Sequence, residues 1–186
     1  MKKRLFLLAT IVSLLFTFSS VSIAKEKTPK DILKSKYPNE VVTLLKTDDI
    51  NFDKKKESFL LTETGNFYLI NSKGSIVLID TGLNSDYFDE LQLKIFAVTK
   101  NEKHIAVIGT YLPSNTQAFV YRLKNGTLTK VLDVMGDVDV QIDAKGRIHQ
   151  LWKNFKPGGG WDLARGTFSW SVKSNKYIGT GHYVLK

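Results

Sequence analysis

Phe119-Val120-Tyr121-Arg122-Leu123-Lys124-Asn125-Gly126-Thr127-Leu128 reads as two strands joined by a tight turn. Apolar and polar positions lead alternately into the turn. Asn125-Gly126 is a strong two-residue hairpin signal, because that turn needs φ > 0 at both central residues. The arrangement occurs twice more, in Phe67-Tyr68-Leu69-Ile70-Asn71-Ser72-Lys73-Gly74-Ser75-Ile76 and in Phe168-Ser169-Trp170-Ser171-Val172-Lys173-Ser174-Asn175-Lys176-Tyr177. The first residues of the three stretches are 52 and 49 positions apart. Around them, short runs rich in β-branched and aromatic residues predict strands at 41–45, 59–62, 67–71, 76–80, 91–99, 104–112, 117–123, 127–134, 138–142, 147–155, 167–172 and 176–184.

Twelve strands divide into three units of four, each roughly 40–50 residues long, which is the repeat length of propeller blades. The middle unit has Lys100-Asn101-Glu102-Lys103 as one turn and Asn125-Gly126 as the next. It resembles a blade of the β-propeller superfamily. The resemblance covers about 41–184 and is generic, with no Trp-Asp dipeptide at the blade ends. It implies antiparallel four-stranded sheets. Three blades fall short of the ~4–8 that close a ring. The expected fold is therefore all-β, in about three blade-like units arranged as an open propeller or a sandwich.

Before the first strand, Thr28-Pro29-Lys30-Asp31 reads as a helix start: Thr28 can cap, Pro29 suits the first turn and Asp31 favours the positive end. Pro38 keeps that helix short, at 29–36. A second helix of at most two turns is expected at 85–91, with Tyr87, Phe88 and Leu91 on one face.

Further upstream, Met1-Lys2-Lys3-Arg4 is cationic, 5–18 carries no charge, and Ser22-Ile23-Ala24 places small residues at a cleavage site. That layout belongs to a secretory signal peptide. Its strictly apolar core of 14 residues is shorter than the ~20 of a spanning helix, so an uncleaved leader is the one route to a membrane. The expected organisation is a signal peptide at 1–24, a linker with the short helix at 25–40, and a single β domain at 41–186. The expected location is secreted or at the cell surface. The chain has no cysteine, so an exported domain must be held by packing and hydrogen bonds alone. That habit, with 23 Lys against 4 Arg, fits a bacterial protein.

Charge is unevenly spread. Three of the 27 basic residues and none of the 18 acidic ones precede Lys25, which leaves +6 for the remainder. Residues 144–186 carry eight basic residues against the single acid Asp162, a net +7. Such asymmetry bears on partners and not on fold.

Catalytic signals are sparse. Residues 66–70 followed by Ile76-Val77-Leu78-Ile79-Asp80-Thr81-Gly82-Leu83 look like the opening hairpin of metallo-β-lactamase-fold hydrolases, which then need a His cluster for zinc. The chain has His104, His149 and His182, far apart, so neither zinc catalysis nor any other metal or cofactor is expected. Asp80-Thr81-Gly82 also resembles the tripeptide of aspartic peptidases, where two carboxylates share one proton. With one copy per chain this implies a dimeric hydrolase centred on Asp80. It departs from that family in the short interval to Gly109 and in Leu83. The plainer reading is an Asp that caps its own turn. Asp133, Asp137, Asp139 and Asp143 read as solvated strand ends.

The last quarter is the most suggestive. Trp152, Trp161 and Trp170 interleave with Lys153, Lys156 and Arg165. Rings stack on sugars or bases, and cations pair with phosphate or carboxylate. These six residues are the candidate binding set, for an anionic cell-wall polymer, a glycan, or another extracytoplasmic protein. Export argues against nucleic acid. The competing reading puts Trp152 and Trp170 in the core and leaves Trp161, beside Gly160, as the exposed ring.

Overall fold

The computed structural model describes residues 27–84 and 86–185, with the side chains of His182 and Tyr183 left aside. The expected signal peptide lies outside them. Helix α1 (Pro29–Lys36) is capped as the sequence implies: Asp31 N donates to the Thr28 hydroxyl and Thr28 N to the Asp31 carboxylate. Twelve strands follow. Sheet 1 holds β1 (Val42–Asp48), β2 (Glu57–Thr62), β3 (Phe67–Ile70) and β4 (Ile76–Asp80). Sheet 2 holds β5 (Glu90–Thr99), β6 (Glu102–Tyr111), β7 (Asn115–Lys124) and β8 (Thr127–Gly136). Sheet 3 holds β9 (Asp139–Ile142), β10 (Ile148–Phe155), β11 (Trp161–Ser171) and β12 (Lys176–Val184). Each is an antiparallel meander with its strands in chain order. The fold is all-β, in three four-stranded blade-like units without a closed barrel.

The three related hairpins occupy the same place in each sheet, the third and fourth strands. Asn125 and Gly126 both take positive φ, at 53° and 77°, as a hairpin turn of that type requires. Of the second helix expected at 85–91, residue 85 lies outside the described residues and 86–91 are not helical. Asp86 and Tyr87 make a turn, and Leu91 is already in β5. Phe88 is buried there by ring contacts with Tyr111 and Phe119, so the apolar spacing served a packed turn and not a helix face.

Strand alternation explains the stacking. In sheet 2, Leu93, Ile105, Val107, Phe119 and Tyr121 point one way, into a core shared with Phe59, Leu61, Phe67 and Leu69 of sheet 1. Phe96, Ala106, Ile108, Ala118 and Val120 point the other way, against Val140, Ile142, Ile148 and Tyr177 of sheet 3. A third cluster packs Leu33 of α1 on Leu60, Tyr68 and Ile70, the far face of sheet 1. The order of layers is helix, sheet 1, sheet 2, sheet 3.

The crossing from sheet 2 to sheet 3 depends on Gly136. A Cβ there would lie 2.2 Å from the Asp139 carbonyl oxygen and 2.6 Å from that of Leu151, both backbone atoms. Gly136→Ala is expected to cost about 1–3 kcal/mol through forced backbone shifts, read as a lower urea midpoint. An unchanged midpoint would show that the two sheets can part there without loss.

Candidate functional site

Sheet 3 decides what becomes of the basic, aromatic set. The β10–β11 register pairs Ile148 with Phe168, Gln150 with Gly166, Trp152 with Ala164 and Phe155 with Trp161. Side chains alternate faces, so Trp152 and Trp170 share the face of Ile148 and Phe168, which looks toward sheet 2. Lys153, Phe155, Trp161 and Arg165 share the opposite face. The six candidates are thus split by the pleat.

Trp170 packs into the layer between sheets 2 and 3. Its ring lies 4.6 Å from His104 and 5.3 Å from Tyr177, with the Arg122 guanidinium 5.1 Å above it. Its buried Nε1 has no hydrogen-bond partner among the described residues. Trp152 is half-buried against Gly166, beside a shallow depression with Phe168 and Gly179. Arg165 is half-buried too, and its Nε has no hydrogen-bond partner among the described residues.

The structure does bring Lys153, Lys156 and Trp161 together, at the tip of the β10–β11 hairpin. The loop at 156–160 closes through Lys156 N donating to the Gly160 carbonyl and Gly159 N to the Lys156 carbonyl, with Gly159 and Gly160 at positive φ. Trp161 is 45% exposed and its cross-strand neighbour Phe155 is 70% exposed. The Lys153 ammonium sits 5.9 Å from the Trp161 ring centre and donates to Ser114 Oγ at 3.1 Å. Lys156 pairs with Asp162 at 2.5 Å. Phe155, one of the aromatics around the tryptophans, lies outside the six-residue candidate set; its pairing with Trp161 depends on a register that only the folded hairpin defines.

A second site lies between β4 and the β7–β8 hairpin. Asp80 lines an open groove of about 540 Å³ with Tyr87, Phe88, Tyr111, Phe119 and Lys130. Its carboxylate accepts from Tyr121 Oη at 2.6 Å, Lys130 Nζ at 2.7 Å and its own turn at Thr81 N, 3.0 Å. Burial pushes the Asp80 carboxyl up, but the bonds from Lys130, Tyr121 and Thr81 hold it below the usual range. The charge in contact with Asp80 is thus the Lys130 cation. Asp80 both lines a cleft and caps its turn. Lys130 and Tyr121, 50 and 41 positions away, left no local signal in the sequence.

A third cluster is internal. His104 is fully buried, with Nδ1 2.9 Å from the Tyr177 hydroxyl across the sheet 2–sheet 3 layer and Nε2 3.4 Å from Glu102. Glu102 in turn pairs with Arg122, which donates to Asn175. Burial pushes the imidazole down to about 4, against the upward pull of Glu102. His149 lies apart, between Thr167 and Asp143. Asp143 caps the β9–β10 turn by accepting from Lys145 N and Arg147 N, and Asp137 accepts from Lys153 N.

Among the described residues no helix is long and apolar enough to cross a membrane. Comparison with protein-family models, with curated proteins and with solved structures gave no match.

Proposed function

We propose that the protein is a secreted, non-enzymatic binding module that holds an anionic cell-wall polymer or a glycan at the tip of sheet 3. The observation that carries this reading is the exposed cross-strand pair Phe155 and Trp161, with Lys153 beside it. Large aromatic rings are mostly hidden in folded proteins. Two of them opposite each other on a hairpin tip form a platform on which a sugar or another flat group stacks. The +7 charge of residues 144–186 adds a long-range attraction that salt screens.

The purified protein is expected to be retained on cell wall or on an anionic polymer at low salt and released at high salt. Trp161→Ala should weaken that retention by about 1–3 kcal/mol, the usual loss for a stacking ring. Its melting temperature should barely move, because the ring is half in solvent. Absence of salt-sensitive retention would overturn the reading. A large fall in melting temperature would make Trp161 a structural residue. Salt-insensitive capture by one extracytoplasmic protein would move the function to a protein partner.

The groove at Asp80 supports a second reading, a dimeric aspartic-type hydrolase. Sharing a proton requires a second carboxylate, and Lys130 favours the ionised form. This reading depends wholly on a second copy supplying that group.

A further inference from the structure

Six connections lie at one end of the molecule: 49–56, 71–75, 100–101, 125–126, 143–147 and 172–175. Within each sheet this follows from the meander, which turns at alternate ends. Between sheets it follows from contacts. Lys103 N, beside the β5–β6 turn, donates to the Ile50 carbonyl of the β1–β2 loop. Asn71 and Ser72 of the β3–β4 turn share a cavity with Asn125 and Gly126 of the β7–β8 turn. Arg122, near the end of β7, donates to Asn175 in the β11–β12 turn at 2.8 Å. Gly146 in the β9–β10 turn sits against the end of β5, where a Cβ would lie 2.1 Å from the Ala97 carbonyl oxygen.

The two ends differ in charge. These six connections hold eight basic residues against three acids, Asp49, Asp53 and Asp143. The five at the opposite end, among them the loop before Trp161, hold one basic residue, Lys156, against Glu63, Asp86, Asp89 and Asp137. All three sheets contribute to the basic end: the lysines at 54–56 and Lys73 from sheet 1, Lys100 from sheet 2, Lys145 and Lys173 from sheet 3, every one exposed. None of these side chains is in an ion pair among the described residues. Asp49 and Asp143 instead accept main-chain N–H groups of their own turns. Four of the eight basic residues in 144–186, Lys145, Arg147, Lys173 and Lys176, therefore stand at the end away from Trp161.

The shape of this charge selects a partner. Packed sheets lie about 10 Å apart, so lysines from three of them spread in two dimensions and not along a line. One polymer strand meets a row of them; a planar layer of anionic headgroups meets them all. Two exposed apolar side chains stand among the lysines, Phe52 at 45% and Val172 at 62%. Binding at a lipid surface combines such apolar groups with attraction to anionic headgroups. The chain also enters the domain at this end, because Lys27 and Thr28 share a depression with Asn71, Ser72 and Gly74. Eight residues separate Lys27 from the uncharged run at 5–18, a reach of at most about 30 Å. A membrane that holds that run meets the basic end first.

We propose that this end of the molecule is a docking face for a membrane surface rich in anionic phospholipid, separate from the Phe155–Trp161 tip at the other end. It works with the leader attached or removed, since the lysines belong to the folded domain.

The test is co-sedimentation of the purified protein with vesicles of one part phosphatidylglycerol to two parts phosphatidylcholine, against vesicles of phosphatidylcholine alone, at low and high salt. The expected result is binding to the anionic vesicles at low salt, release at high salt, and little binding to the neutral ones. Combining Lys55→Ala, Lys56→Ala and Lys173→Ala should lower partition onto the anionic vesicles about 100-fold, roughly fivefold for each lysine. The melting temperature of that variant should match the parent, because all three side chains are exposed. Phe52→Ala should weaken partition several-fold. Absence of vesicle binding would overturn the proposal. Equal partition onto both kinds of vesicle would assign binding to the leader, and an unchanged partition for the triple variant would place it elsewhere on the surface; either result overturns it too. So would capture of soluble polyphosphate through the same lysines without binding to vesicles.

Discussion

Truncating Tyr121 to alanine is expected to remove about 3–5 kcal/mol of stability, a large share of what a domain of this size has. The ring is 1% exposed, lies 5.2 Å from Phe67 of sheet 1, and belongs to the cluster that holds sheets 1 and 2 together. Its hydroxyl donates to Asp80 at 2.6 Å, so one side chain serves both the core and the edge of the groove. Tyr121→Phe separates the two contributions. It keeps the ring and removes a bond to an ionised carboxylate, which is worth about 1.5–3 kcal/mol. The lower end is expected, because Lys130 and the Thr81 amide still hold Asp80. Urea unfolding at neutral pH measures both. If the alanine variant loses less than about 1 kcal/mol, well under the usual cost of a buried ring, the packing of sheet 1 on sheet 2 does not rest on this residue. If both variants lose the same, the hydroxyl and not the ring is the tie.

Acid should loosen the other side of sheet 2. Unfolded, the His104 imidazole takes up its proton near 6.5; folded, burial holds it down to about 4. Between those values the unfolded chain binds more protons than the folded one. Stability from this group is therefore complete above about pH 6.5 and falls as pH drops toward 4. The whole shift corresponds to about 3 kcal/mol. The groups around the ring are Tyr177 on β12, Glu102 on its own strand and Arg122 on β7. Glu57 acts in the opposite sense, since its raised carboxyl makes folding less favourable as pH climbs through its range. Urea midpoints measured from pH 7.5 to 4.5 should decline in the parent. His104→Gln should start lower at pH 7.5 and decline less. An equal slope in both proteins would assign the acid sensitivity to other groups.

Strand content was legible because each strand carries its own evidence. The runs at 76–80 and 176–184 match β4 and β12 in both bounds, and α1 likewise runs Pro29–Lys36. Turns at Asn125-Gly126 and caps at Thr28 are equally local, since the residue that makes the turn is the residue one reads. The segment at 85–91 shows the limit of that reasoning. Tyr87, Phe88 and Leu91 have helical spacing, yet Phe88 is drawn into the sheet 1–sheet 2 core by Tyr111 and Phe119, which lie more than 20 residues away.

The candidate sites were less legible, for the same reason. Composition marked the C-terminal quarter as basic and aromatic, but not which rings face water. That depends on the β10–β11 register, which sends Trp152 and Trp170 to one face and Lys153, Phe155 and Trp161 to the other. A single-residue slip would exchange the two sets. Asp80 was visible as a residue, while its partners Tyr121 and Lys130 were not, because stacking of sheet 1 on sheet 2 places them there. The oxygen of Glu57 is left without a partner only once β2 is buried. By itself, then, the sequence determined the twelve strands, their grouping in fours and the charge of each region, because short-range alternation and turn chemistry encode them. Tertiary structure alone decided which faces meet and which polar groups are left without partners, because those depend on contacts between residues far apart in the chain.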